Sequence, residues 1–387
     1  MTRPNAFQIA IHGRGPVALT LALLLRRQGL RASRISLSAS RGVPPPSLAA
    51  RALALSGGSW QILSRIIGPV PAGIIRDVDV AFAGHGLHTR FAAADQGCEA
   101  LGRVVRHGAL TDALEAAIAD WPIATTADVG DGESAACPDD VATAGPDCRL
   151  TIHAEGHFPA VGERAVFEQR ALFTEVRVSP RADRRATMPV AGVAYERFRE
   201  AGPLALLPLP ELDHWSVVWC APAKEIDSLL HIAPEAFVQT LAHALGHEGS
   251  GELQLCGERH AVDLRSESAT EHDPHSLRIG NAAQTLHPVA GQGLNLGLRD
   301  AYALAEVIGE AATRGDSVAV AVNEFRKRRE RDRRGTRALT NRLATLGAGT
   351  RIAPQLSLAM MSGALGAIDL IAPLRRQVSR HFVYGLR

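Results

Sequence analysis

The sequence predicts an α/β fold: a Rossmann-like domain with a parallel sheet, into which an antiparallel-sheet domain is inserted, followed by C-terminal helices. A strand, a glycine-bearing turn and a helix open the chain between Phe7 and Gln28, and a second glycine-rich turn follows Gly280. Such strand-to-helix units imply parallel strands covered by helices. Between 161 and 270, runs of strand-forming residues alternate with prolines and charged turns, which is typical of antiparallel strands.

The elements of the parallel domain follow from hydrophobic periodicity and from residues suited to helix ends. The run from Phe7 to Ile11 predicts a buried strand, and the next helix ends at Gly29. Thr111 is suited to cap a helix that runs to Ala119. The polar run 124–146 predicts a surface excursion. Further predicted elements are strands at 34–37, 150–156 and 277–280, and helices at 17–28, 59–67, 291–310 and 318–346.

The domain organisation predicted from these elements is discontinuous. Strands at 171–178, 204–209 and 215–220 belong to the inserted sheet. The predicted bounds are 1–76, 100–160 and 271–346 for the parallel domain, 77–99 and 161–270 for the inserted substrate domain, and 347–387 for a C-terminal helical tail.

Composition limits the classes of function. The chain has 387 residues, 46% of them hydrophobic and 21% charged, with a formal net charge of +2. These values predict a folded chain with no global electrostatic attraction for nucleic acid. Five scattered cysteines without a CxxC pair, and histidines without metal-ligand spacing, predict a reducing compartment and no metal site.

The segments that bear on location are the two ends of the chain. The first residues lead directly into a strand, without the charged and apolar regions of a signal peptide, so we expect a cytoplasmic protein. No run reaches the roughly 18 apolar residues that a membrane span needs. The apolar run 352–372, followed by Arg375 and Arg376, predicts peripheral contact with the inner membrane. The oligomeric state stays open.

The first glycine turn reads Gly13-Arg14-Gly15-Pro16-Val17-Ala18 and lies between a strand and a helix. In this position backbone N–H groups and the helix dipole bind the pyrophosphate of a dinucleotide, although an ordinary tight turn has the same pattern. Dinucleotide folds usually place an acid near the end of the second strand. Here the candidates are the neutral Ser36 and Ser38.

The second glycine turn is more specific: residues 278–301 read RIGNAAQTLHPVAGQGLNLGLRDA. A strand ends at Gly280, Asn281 can face a ribityl hydroxyl, and Gly291 and Gly293 allow backbone to approach a ring closely. The helix that begins there directs its partial positive charge towards a reduced flavin. The segment resembles the second FAD signature of class A flavoprotein monooxygenases, and in detail that of the aromatic hydroxylases of ubiquinone biosynthesis, GDAAHxxxPxxGQGxNxGxxDA.

Other segments extend this resemblance over nearly the whole chain. Residues 51–56 (RALALS) and 102–107 (GRVVRH) are similar to segments that flank the cofactor, and 194–208 (AYERFREAGPLALLP) is similar to a substrate-domain signature. The cofactor-binding residues that the turns and the resemblance imply are Gly13, Gly15, Pro16, Val17, Ala18, Ser36, Arg51, Arg106, Gly280, Asn281, Pro288, Gly291, Gly293, Leu294 and Asn295.

Three departures from the family pattern bear on activity. Asn281 and Glu155 each stand where the family has Asp, and Gln284 where it has His. Each keeps hydrogen-bonding capacity but changes charge or reach. A catalytically degenerate scaffold in a quinone-biosynthesis complex is therefore one alternative function, and a hydroxylase of small soluble aromatics is another.

The resemblance implies that NAD(P)H reduces FAD, that O2 reacts with the reduced cofactor, and that oxygen passes to a polyprenylated phenol, a small hydrophobic aromatic substrate. No catalytic residue is identified; His287 and Pro288 are flavin-adjacent candidates, and a structural hydrogen bond is an equal alternative for His287. We interpret His12 as local packing. The arginine-rich run 326–334 contains acids at helical spacing and predicts a solvated, ion-paired helix face.

Overall fold

A computed structural model describes residues 7–38, 46–82, 88–121, 124–126, 149–156, 162–178, 189–246, 253–269, 273–347 and 380. In chain order the strands are β1 (Gln8–His12), β2 (Ile35–Ser38), β3 (Ala52–Ser56), β4 (Gly73–Ile75), β5 (Asp77–Phe82), β6 (His88–Ala92), β7 (Gly102–Arg106), β8 (Ala124–Thr126), β9 (Arg149–His153), β10 (Gly162–Val178), β11 (Val193–Arg199), β12 (Gly202–Pro208), β13 (His214–Pro222), β14 (Leu253–Leu255), β15 (His260–Ala269), β16 (Ser276–Arg278) and β17 (Gln284–Thr285). The helices are α1 (Pro16–Arg27), α2 (Pro46–Ala50), α3 (Gly57–Leu63), α4 (His107–Ile118), α5 (Ala223–His231), α6 (Pro234–Ala244), α7 (Gln292–Arg314) and α8 (Val318–Gly347).

The parallel-sheet domain is built on five strands in the order β16-β9-β1-β2-β8, and every neighbouring pair is parallel. Helix α1 begins with proline, whose φ suits the first helical position, and buries a leucine-rich face against α7 and the sheet. Because both faces of parallel strands must be covered, Ile9 and Ile11 of β1 are almost completely buried. A small sheet in the order β3-β7-β4 lies beside this core.

The second sheet has nine strands, with the path β17-β15-β10-β13-β12-β11-β5-β6 and β14 on β10. It is antiparallel, as predicted, except between β11 and β5, which run parallel. One face carries Leu172, Trp219 and Leu204, which are buried beneath α5 and α6. These two helices were absent from the sequence-based prediction, because their short apolar stripes fall between strong strand patterns.

The arginine-rich run lies on α8, and part of it is buried rather than solvated. Arg329 and Asp332 are almost inaccessible, and both join ion pairs with the α7 residues Asp300 and Arg299. The interpretation as a solvated face is therefore wrong for these residues, because the face packs against α7. The outer pairs of Arg334 with Glu330 and of Arg328 with Glu324 fit it.

Two further expectations change locally. Helix α4 begins at His107, so Thr111 lies inside it, where its hydroxyl donates to the His107 carbonyl at 2.9 Å instead of capping. Residues 124–126 form β8 and pair with β2, whereas 127–146 of the expected surface excursion lie outside the described residues. Nearly all of the tail, including 352–372, also lies outside them. In the described part of the chain, no helix has the length and apolar character of a membrane span.

Candidate active site

The two glycine turns meet at the carboxyl edge of the parallel sheet. Gly13 has φ +123°, and a Cβ there would lie 2.7 Å from the Ala154 carbonyl oxygen, so only glycine fits between β1 and β9. Val17, just after the first turn, lies against Gly280 and Gly297 of the second, where an added Cβ would approach it to 3.3 and 2.8 Å. The chain therefore brings together turns that are far apart in sequence.

Open space lies beside both helix N-termini at this edge. A Cβ added to Gly15, which precedes α1, or to Gly293, in the first turn of α7, would meet no atom of the described residues within 4 Å, apart from its chain neighbours and the backbone of its own helix. Neither helix has a side-chain hydrogen bond from its N-cap residue, and the N-terminus of each helix carries the partial positive charge that attracts an anion. Two anion sites on one edge fit the pyrophosphate of FAD and the negative charge that a reduced flavin carries.

The other cofactor candidates near these turns differ in accessibility. Pro16 and Ala18 are buried in α1, so only their backbone can contribute to a ligand site. Asn281 is exposed, and its side chain makes no hydrogen bond with the described residues. Leu294 lies partly buried against the core of the parallel-sheet domain. Of these four candidates, Asn281 therefore has the side chain that is most accessible to a ligand.

Ser36 lies in a position that does not suit the role of the missing second-strand acid. Its side chain is buried inside β2, whereas Ser38 ends the strand and its hydroxyl lies 2.9 Å from His12 Nδ1. The ring of His12 stacks on His153 at 5.2 Å, and His153 lies 3.6 Å from Glu155. Burial and then His153 lower the pKa of His12. Ser38, His12, His153 and Glu155 therefore form a polar cluster at the ends of β1, β2 and β9, and the interpretation of His12 as local packing did not include these polar contacts.

Arg51, predicted to lie near the flavin, is an exposed residue immediately before β3. Its guanidinium lies over the Phe173 ring at 4.7 Å. No carboxylate among the described residues pairs with it, and desolvation by the surrounding protein lowers its pKa. An arginine held in this way attracts an anionic or carbonyl group of a ligand.

Arg106 is corrected from cofactor residue to link between domains. Its guanidinium donates to Glu175 on β10 at 2.6 and 3.1 Å, to Glu211 at 2.9 Å, and to the Ala50 carbonyl at 3.1 Å. These carboxylates raise the pKa of Arg106. Each of its three nitrogens thus donates to protein, and these bonds use four of the five N–H groups of the guanidinium.

The side chain of Asn295 is likewise structural. Its amide nitrogen donates to the carbonyls of Ala54 and Gly291 at 2.9 and 2.7 Å, and its oxygen accepts the Ser56 N–H at 2.8 Å. The amide therefore ties the start of α7 to β3. Any contact of Asn295 with a cofactor would be made by its backbone. Gly291, at φ +58°, makes the turn that this bonding requires.

His287 is buried and neutral. Its Nδ1 accepts the Val289 N–H at 3.2 Å, and Nε2 lies 3.3 Å from Gln169 Oε1 on β10. Burial lowers the pKa of His287 to about 4. These contacts favour the structural alternative over a catalytic one. Pro288 is half-buried next to it and shapes the loop before α7.

A row of side chains crosses the nine-stranded sheet on the face opposite α5 and α6. The strand registers pair Phe173 with Val218, Val218 with Ala205, Ala205 with Glu196, and Glu196 with Val80, so these five residues share one face. All five keep some accessibility, although this face is turned towards the parallel-sheet domain. We call the intervening space the cleft and these residues the cleft row.

Comparison with known proteins agrees with this geometry. The family model described as an FAD binding domain matches residues 133–338. The chain is 30% identical to the uncharacterized protein slr1300 of Synechocystis over 345 residues, covering 81% of this chain and 77% of that one. It is 30% identical to the ubiquinone hydroxylase UbiL of Rhodospirillum rubrum over 409 residues, covering 98% and 90%.

Solved structures show the same fold at low sequence identity. The p-nitrophenol 4-monooxygenase PnpA of Pseudomonas putida superposes with a TM-score of 0.67 at 16% identity, covering 100% of both chains. Klebsiella pneumoniae HpxO, complexed with FAD and uric acid, gives 0.65 at 13% identity, covering 96% of this chain and 97% of that one. The fold described above is therefore that of these two proteins.

Proposed function

The chain belongs to the FAD-binding family of class A flavoprotein monooxygenases, and from this we propose that it hydroxylates the ring of a polyprenylated phenol in ubiquinone biosynthesis, using NAD(P)H and O2. The observation that carries the proposal is the convergence of two uncapped helix N-termini on open space at one sheet edge. The names of similar proteins, ubiquinone hydroxylase in Rhodospirillum rubrum and ubiquinone biosynthesis monooxygenase in Xenopus tropicalis, support this substrate class.

The cleft row supports a hydrophobic aromatic substrate. Four of its five members, Phe173, Val218, Ala205 and Val80, are apolar, and they remain partly accessible. Apolar surface of this kind binds an aromatic ring and a prenyl chain by removing both from water. A substrate that fills the cleft would displace water and so strengthen the interactions of the polar groups inside it.

The cofactor supplies the redox chemistry, since bound FAD accepts reducing equivalents from NAD(P)H and activates O2. The protein supplies placement and charge. The N–H groups of the first turn of α7 stabilise negative charge, Arg51 attracts an anionic or carbonyl group, and the cleft row orients the substrate ring.

Purified protein supplied with FAD tests the proposal. We expect a yellow holoprotein whose NAD(P)H oxidation is stimulated by phenols, with one atom of ¹⁸O2 incorporated into the ring. A panel of the same phenol with no tail, a short prenyl chain and a long prenyl chain separates the substrate classes. A falling KM with tail length supports a polyprenylated substrate, and a preference for the tail-free phenol supports the alternative of a small soluble aromatic.

A cellular measurement addresses the pathway. Deleting the gene should remove ubiquinone and accumulate a precursor that lacks one hydroxyl group, whereas unchanged quinone content would contradict the proposal. Restoration by a variant that cannot bind FAD would point instead to the scaffold role in a quinone-biosynthesis complex. Contact with such a complex or with the inner membrane stays a prediction.

A further inference from the structure

Glu196 is the only charged member of the cleft row. It lies in the middle of β11, opposite Ala205 on one side and Val80 on the other. Alternate residues of a strand point to opposite faces, so Ala194 and Phe198 share its face whereas Tyr195 and Arg197 point to the other. Burying a carboxylate in the centre of an apolar row costs free energy unless the carboxylate has a hydrogen-bonding or charged partner. A carboxylate kept there without such a partner indicates a function.

The neighbours of Glu196 locate it between two contacts with the parallel-sheet domain. Ala194 packs in a cluster with Val104 of β7. Phe198 packs in a second cluster with Val289, three residues before the start of α7. Glu196 therefore faces the cleft at a position flanked by the small sheet and by the loop that leads into the α7 N-terminus.

The carboxylate of Glu196 has no partner among the described residues. No hydrogen bond or ion pair to a side chain or a backbone N–H reaches its oxygens, and the side chain keeps some accessibility. Glu175, on the same face of the sheet, is by contrast held by two hydrogen bonds from Arg106. Burial raises the pKa of Glu196 to about 8, and Arg197 opposes this shift.

Among the described residues, the charged and titratable groups around Glu196 include Arg197, Cys220 and Arg51. Arg197 is engaged on the other face, where it pairs with Asp79 at 2.7 Å and donates to the Leu245 carbonyl. Burial and then the charge of Glu196 raise the pKa of the Cys220 thiol on β13. From the parallel-sheet domain, Arg51 lies over Phe173 at the other end of the row.

We propose that Glu196 is the catalytic base that accepts the hydroxyl proton of the phenolic substrate, an inference that rests on the proposed function. In this step the phenolic O–H bond breaks, a new O–H bond forms on the carboxylate, and the electron pair stays on the phenolate oxygen. No group is oxidised or reduced. The phenolate donates electron density to its ortho and para carbons, which prepares the ring to receive an electrophilic oxygen.

The environment of Glu196 suits this role. A base works best when its pKa lies near the operating pH, because it is then ionised often enough and still holds a proton well. An ordinary exposed glutamate is too weak a base for a phenol. Desolvation in the cleft brings the pKa of Glu196 closer to that of a phenol. The other side chains of the cleft row are apolar and cannot accept the proton.

The first test compares Glu196→Gln with Glu200→Gln, which changes an exposed glutamate in the turn after β11. The wild-type kcat should rise with pH through about 8 as the carboxylate ionises. Glu196→Gln should lower kcat about 100-fold and abolish that rise, with FAD binding unchanged, and Glu200→Gln should match the wild type. Glu196→Asp, which keeps a shorter carboxylate, should retain the pH dependence at a reduced rate.

The second test is independent of turnover and uses calorimetry on FAD-loaded protein at pH 9. Glu196→Gln should weaken binding of a phenol about tenfold, through loss of a charge-assisted hydrogen bond, and leave binding of its methyl ether unchanged. Equal effects on phenol and ether, or an unchanged kcat–pH profile, would overturn the role of Glu196. If the wild type hydroxylates no phenol, the proposed function fails, and the calorimetric difference still decides whether Glu196 binds a phenolic hydroxyl.

Discussion

Asp300 on α7 accepts a hydrogen bond of 2.7 Å from Arg329 Nε on α8, and both side chains are almost completely inaccessible to solvent. Arg333 donates to the other carboxylate oxygen at 2.8 Å. Asp300 belongs to the glycine-rich motif 278–301, in which α7 begins at Gln292. The ion pair therefore anchors the helix whose N-terminus faces the open space of the site.

Asp300→Asn should destabilise the protein by about 3 kcal/mol, because it leaves two arginines without their buried counter-charge. Chemical denaturation followed by circular dichroism measures the change. The control is Glu330→Gln, which removes a solvent-exposed ion pair with Arg334 and should cost less than about 1 kcal/mol. Equal effects of the two variants would show that the buried network contributes no more than a surface pair.

Gly15→Ala and Gly293→Ala should each weaken FAD binding at least about tenfold while leaving the melting temperature of the FAD-free protein unchanged. The reason is that an added Cβ meets no atom of the described residues beyond its chain neighbours and own helix within 4 Å at either position, whereas a bound cofactor at this edge would meet it. Flavin fluorescence titration measures the affinity. Gly68→Ala, which is equally open but lies away from both turns, should bind FAD normally. Normal FAD affinity in the Gly293→Ala variant would show that the flavin does not bind at the α7 N-terminus.

Asn281→Asp should tighten FAD binding roughly fivefold, since a carboxylate makes a stronger, charge-assisted hydrogen bond to a ribityl hydroxyl than an amide does. The exposed side chain has space for the change without a new contact to protein. The same fluorescence titration, together with the fraction of FAD retained through gel filtration, gives the result. Unaltered affinity would show that residue 281 does not contact the cofactor.

His287→Asn should reduce the acid sensitivity of the fold. The pKa of His287 falls from 6.5 to about 4 on folding, so its contribution to stability is present above pH 6.5 and is lost as pH falls towards 4. The variant should lose this part of the pH dependence. At pH 7 it should be less stable by about 1 kcal/mol, because a buried contact to Gln169 is lost. Melting curves from pH 4 to 8 measure both effects, and parallel curves for the two proteins would contradict the assignment.

The sequence by itself determined the two glycine turns, the strands and helices that flank them, and the α/β class. These are local properties, because Gly13 and Gly291 have backbone angles that favour glycine, and because strands and helices impose periods of two and 3.6 residues. The resemblance to a flavoprotein family followed from the same turns. The comparisons confirmed it, since the FAD-binding family model matches 133–338.

Only the tertiary structure decided which polar atoms meet. Arg106 pairs with Glu175, 69 residues away, and Asn295 holds Ser56, 239 residues away, so both side chains are engaged by protein although their motifs predicted cofactor contacts. In the sequence, Glu196 is one polar residue within a strand, and the sheet register places it in the cleft row. The physical reason is that a hydrogen bond forms within about 3 Å, and distances of that size between remote residues arise only when the sheets pack.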